Sequence, residues 1–165
     1  MPKSLSATVF LLLVAALHAV ELAADYSSPV EVGRLAEPRN LEQSGLAVSR
    51  RTPGLLWTHN DSGGEPILFA LNVDGSLRGT IQVAGVTNRD WEEVAAFELD
   101  GRSWLMAGEI GDNYAKHPQS MLHVLAEPEA TRLDPARPLK LAPDYTIHFS
   151  YEDGPRDCEA LAVDP

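Results

Sequence analysis

Beyond its first two dozen residues, the chain shows hydrophobic positions that alternate with polar ones at a period of two, and helical periodicity is nearly absent. In Tyr145–Tyr151, residues Tyr145, Ile147, Phe149 and Tyr151 fall on one face, and Thr146, His148 and Ser150 on the other. Ile67, Phe69, Leu71 and Val73 alternate in the same way with Leu68, Ala70 and Asn72. A period of two is the signature of a half-buried strand. Asp74-Gly75 and Asp100-Gly101 each separate two such runs. Asp-Gly suits a tight hairpin, whose central positions require positive φ. The pattern predicts an all-β chain arranged as an antiparallel meander.

The pattern also repeats. Glu42–Ser49 (EQSGLAVS), Asp90–Phe97 (DWEEVAAF) and Asp157–Asp164 (DCEALAVD) each open on an acid and carry an alanine five residues later, at Ala47, Ala95 and Ala162. The first two copies lead into a second strand that ends in a polar, Gly-rich turn, Asn60–Gly64 in one and Gly111–Asn113 in the other. A third strand follows each turn, ILFALNV and then MLHVLAE. The openings start 48 and 67 residues apart, close to a four-stranded propeller blade with one insertion. That insertion is Glu127 to Pro143, whose four prolines make it hard to pair as a strand. An eight- or nine-stranded sandwich with accidental similarity is the competing architecture.

Residues 1–24 have the layout of a signal peptide: Lys3, an apolar run from Ala7 to Ala16, then the small residues Ala19, Ala23 and Ala24. The run is shorter than the roughly 20 residues that a membrane crossing needs. The expectation is export to the periplasm or the medium, an extended segment over 25–40, and a β domain over 41–165 with no membrane span once the leader is removed.

Composition narrows the function classes. Among 165 residues, 24 are acidic and 13 basic, for a net charge of −11. Phosphate backbones reward clustered basic side chains, so nucleic acid is excluded as a partner. The single cysteine, Cys158, excludes an internal disulfide and any multi-cysteine zinc site. No serine-hydrolase elbow or phosphate-binding glycine loop occurs. His59, beside the first glycine-rich turn, is a candidate base or ligand, although buried histidines of this kind commonly serve packing.

The acids are the remaining candidates. Asp90 and Glu92, with Asp157 and Glu159, occupy matching positions in two openings, where the first copy has Glu42 and Ser44. Repeat symmetry gathers such carboxylates, and a cluster of hard oxygens suits Ca²⁺. The structural alternative is that each acid accepts backbone N–H groups from a neighbouring turn. Asp61 and Asp112, in the two Gly-rich turns, face the same choice between calcium ligand and turn closure.

The phrases SGLAVS, LLWTHNDSGG, LFALNVDG, DWEEVAAF, GEIGDN and DCEALAVDP resemble blade openings of exported bacterial β-propellers of the SdiA-regulated, phytase-like and NHL-like type. The resemblance spans Glu42 to Pro165. It implies a partial propeller of about two to three blades, fewer than the four or more that closure requires. The function it implies is a scaffold that binds a small molecule or protein. The alternative is a calcium-dependent phytase-like hydrolase, for which Arg89 and Arg156, each preceding a repeat acid, are the candidate phosphate partners.

Overall fold

The computed structural model describes residues 27–164, so the leader expected over 1–24 lies outside them. The sheets belong to the unit that begins at Glu31. Strands β1 (Gln43–Val48), β2 (Leu55–Asn60), β3 (Ile67–Asn72) and β4 (Leu77–Val83) form an antiparallel meander. A second meander holds β5 (Trp91–Leu99), β6 (Arg102–Glu109) and β7 (Ser120–Ala126). The chain then crosses back through a short 3-10 turn (Ala130–Arg132) to place β8 (Leu139–Leu141) parallel to β4. It returns as β9 (Tyr145–Phe149), antiparallel to β7. The spatial orders are β1-β2-β3-β4-β8 and β5-β6-β7-β9. Among the described residues there is no α-helix, and no helix is long and apolar enough to cross a membrane.

The all-β expectation therefore holds. The Asp100-Gly101 hairpin forms as the dipeptide dictates, with φ of 52° and 71° joining Leu99 to Arg102. The Asp74-Gly75 turn departs from the expectation, because only Gly75 has positive φ. There the carboxylate of Asp74 accepts the Ser76 amide at 2.9 Å, and a longer loop results. The insertion also departs from it. Leu139–Leu141 pairs with Ile81–Val83 despite the flanking prolines, because a parallel partner on the outer edge lies between Pro138 and Pro143 and leaves both outside the ladder.

Period two places alternate side chains in different layers. Leu55, Trp57, Leu68, Ala70, Ile81 and Val83 from the first sheet meet Trp91, Val94, Leu105, Ala107 and Leu125 from the second, and this shared layer is the main core. The opposite face of the first sheet carries Ile67, Phe69 and Leu71, covered in part by Leu35. The opposite face of the second carries Trp104, Met106 and Val124, against which Leu161 and Val163 pack.

Two carboxylates are buried in this apolar setting. Glu127, at the exit of β7 and 2% exposed, reaches across to the first sheet. It accepts the Trp57 indole N–H at 2.8 Å, the amides of Arg50 and Arg51 at 3.1 Å, and the Ser49 hydroxyl. Glu109, at the end of β6 and fully buried, accepts the Trp91 indole at 3.0 Å and the amides of Arg89 and Asp90 at 3.2 and 3.0 Å. A buried carboxylate is tolerated when donors surround it, and removing one side of such a network strands the other. Replacing Glu127 by Ala should lower the unfolding free energy by about 3 kcal/mol or more. The neighbouring exposed Glu129, paired with Arg51, should lose less than about 1 kcal/mol on the same change. Urea denaturation of both variants checks the contrast, and equal effects would contradict it.

Candidate functional site

β5 begins at the junction of the two sheets. Asn88, 6% exposed, donates from its side chain to the carbonyls of Asn60 and Asp61 and accepts the Trp91 amide at 3.1 Å. Glu109 holds the amides of Arg89 and Asp90 from the other side. The first residues of β5 are thus fixed against the β2–β3 turn, and Ser62 bridges Asp90 directly. A β-bulge between Trp91 and Glu93 follows at once and sets the directions in which Glu92 and Glu93 leave the strand.

The third opening phrase meets the second sheet at the matching place. Asp112 donates its amide to the Asp157 carboxylate at 2.7 Å, and the Cys158 amide donates to Ile110 at 3.2 Å. The result is a convergence of carboxylates. Asp61, Asp90 and Glu92 present ligand oxygens within 4.8 Å of one another, and so do Glu92, Asp157 and Glu159. Glu92 belongs to both sets. It is 6% exposed, and among the described residues no amide, hydroxyl or cationic group donates to its carboxyl. One oxygen of Asp61 is likewise buried without a partner. Gly111 makes the room. A Cβ there would stand 2.2 Å from an oxygen of Glu92 and 2.6 Å from the Asp90 carboxyl carbon.

Electrostatics follow from this crowding. Burial, with the Glu159 carboxyl and the charges of Asp61 and Asp90, pushes the Glu92 carboxyl up to about 8. Burial and the charges of Asp61 and Asp157 also raise Asp90, with Arg89 opposing them. At neutral pH without a cation, Glu92 therefore keeps a proton and shares it with Glu159.

The remaining candidates are placed elsewhere. The Asp112 carboxylate closes its own turn by accepting the amides of Lys116 and His117 at 2.9 and 2.7 Å. It lies in neither carboxylate set. Those amides hold its pKa below the ordinary value against the effect of burial. His59 is fully buried, edge-on to Trp91 at 5.8 Å. Its Nδ1 faces the Asn60 carbonyl at 2.8 Å, so that nitrogen carries the proton. Burial lowers its pKa, and the ring is a neutral core group sealed from any ligand. Arg89 pairs with Glu109 at 3.0 Å and reaches the Gln119 carbonyl at 3.4 Å. Arg156 pairs with the exposed Asp153. Glu109, Glu127 and Asn88 hold the site's framework, and no sequence motif singles them out. Trp57 and Trp91 are the one signal that points to Glu127 and Glu109, since a buried indole N–H needs an acceptor.

Compared with protein families, curated proteins and solved structures, the chain finds no match in any of the three.

The proton on Glu92 sets a pH dependence. The native carboxyl holds its proton up to about pH 8, whereas the unfolded one releases it near 4.5. That stabilisation is complete below about 4.5 and is lost as pH rises through 8. His59 and His123, both lowered by burial, act oppositely and weaken the fold as pH falls below 6.5. Comparison of the wild type with Glu92→Gln cancels the histidine contribution. In chelator, the melting midpoint of Glu92→Gln relative to wild type should rise by several degrees between pH 5 and pH 8. A gap independent of pH would contradict the assignment.

Proposed function

We propose that this chain is an exported binding domain of β-propeller type whose rim is organised by a divalent cation, calcium, held by Asp61, Asp90, Glu92, Asp157 and Glu159. The observation that carries the reading is Glu92, a residue 6% exposed whose carboxyl meets no N–H or cationic donor among the described residues, placed where four other carboxylates converge. Glu109 and Glu127 show how this fold treats a structural buried carboxylate, giving each three or more donors. Glu92 has been given oxygens instead. Oxygens on opposite sides of a calcium ion stand about 4.8 Å apart at the usual contact of about 2.4 Å. The spread of each set, within 4.8 Å, fits that span.

The propeller reading draws on the repeated openings and on β1 and β5, which begin the two meanders and lie next to each other in space. The export reading draws on the leader pattern. No observation favours a hydrolase. A phosphate would need free guanidinium groups, and those of Arg89 and Arg156 turn to Glu109 and Asp153.

Thermal melts of the full chain in chelator and in millimolar calcium test the proposal. A cation that binds only the folded state adds about 2.7 kcal/mol at a hundredfold excess over Kd. The midpoint should rise by several degrees. Magnesium should do less, because it holds its waters and demands a tighter octahedral shell. Replacing both Glu92 and Glu159 by Gln should abolish the rise. Gly111→Ala should do the same, since its methyl group occupies the space of the Glu92 oxygen. An unchanged wild-type midpoint would overturn the cation reading.

A further inference from the structure

We infer that the cation acts as a clasp, coupling its own binding to the docking of the third repeat, Asp157–Asp164, on the outer face of the second sheet. The inference rests on the cation reading above and adds a conformational consequence to it.

The three openings are held very differently. The first pairs with β2 along its length, and the second pairs with β6 from Trp91 to Leu99. The third has no strand pairing among the described residues. Two hydrogen bonds tie it to the second sheet, from the Asp112 amide to Asp157 and from the Cys158 amide to Ile110. Its other attachment is apolar. Leu161 and Val163, both half-buried, rest on the face formed by Trp104, Met106 and Val124. A segment with few bonds and partial burial sits at the low end of local stability.

That weakly held segment carries two of the five carboxylates. Asp157 and Glu159 are exposed, whereas Asp90 and Glu92 belong to the firmly held start of β5. Without a cation, the charges of Asp157 and Glu159 act against that of Asp90 across the least constrained contact in the domain. Lifting of the third repeat relieves that opposition. A bound cation reverses the sign of that interaction and pulls the same two carboxylates towards β5. Binding at the cluster and packing of Leu161 and Val163 therefore favour one another, and the coupling is reciprocal. Leu161 and Val163 supply no ligand oxygen, so any effect they have on affinity must pass through docking.

Hydrogen exchange of the full chain, read by mass spectrometry over 157–164, tests the first half. Calcium should slow exchange of the Cys158 amide by about tenfold or more relative to chelator. Titration calorimetry of the Leu161→Ala/Val163→Ala double variant tests the second. Its affinity for calcium should fall by about tenfold, although every carboxylate is intact. Removing two half-buried side chains leaves the main core untouched, and an unchanged circular dichroism spectrum verifies the fold. If calcium binds and raises the melting midpoint while exchange over 157–164 and the affinity of the double variant stay unchanged, the clasp is overturned and the cation site stands. If the wild type binds no calcium by calorimetry, both fall.

Discussion

A carboxylate inside an apolar layer must find donors, and this fold is organised around two places where it does. Glu127 leaves β7 of the second sheet and is received by an indole, a hydroxyl and two amides of the first. Each donor lies at least 70 residues away in sequence. The apolar core between the sheets is non-directional and would tolerate sliding. Glu127 fixes the relative register because it has several partners with defined geometry. Glu109 does the same on a smaller scale, fixing the start of β5 to the end of β6. Both engage a fully buried tryptophan, so each bond also satisfies an indole N–H that would otherwise be stranded.

This framework makes Glu92 informative. Glu92 and Glu109 leave neighbouring strands, lie near the same end of the second sheet, and are both buried. One is surrounded by oxygens, and burial together with those neighbours keeps a proton on it. The other is surrounded by N–H groups. Burial alone would not separate structural from functional acids here. The identity of the neighbouring groups separates them. The cluster is held firmly on one side, by Asn88 and Glu109, and by few hydrogen bonds on the other, at 157–164.

The strands were legible in the sequence because their signal is local. Alternation over five to seven residues, with Asp-Gly between runs, needs no tertiary information. The convergence of Asp90 and Glu92 with Asp157 and Glu159 was legible from their matching positions in two similar phrases of the sequence. The rest was not, and the causes are physical. Glu127 reads as the first residue of a proline-rich loop, because its donors lie 70 or more residues away and two of them are backbone amides that carry no sequence mark. Leu139–Leu141 is too short to show a period, and its parallel partner β4 is remote in the chain. The separation of Asp112 from the cluster turns on whether a carboxylate folds back onto its own loop amides, a choice made by a few torsions. His59 resembled a site residue because it adjoins a Gly-rich turn, but its position on β2 points it into the core beside Trp91.

The repeat also explains why charge gathers at one junction and not the other. The first acid of each opening makes a different contact. Glu42 offers its carbonyl to the Asp61 amide, Asp90 offers its carbonyl to the Gly111 amide, and Asp157 accepts the Asp112 amide through its side chain. Only the Asp157 contact uses the carboxylate; the other two use a backbone carbonyl, which any residue offers. Two residues later the copies diverge in chemistry. At the first junction Ser44 is neutral and donates its hydroxyl to the Glu92 carbonyl at 2.8 Å. At the second junction the equivalent positions, Glu92 and Glu159, are both carboxyls and face each other. The first junction shows a neutral side chain at this position, so the paired glutamates at the second are the feature on which the proposed cation rests.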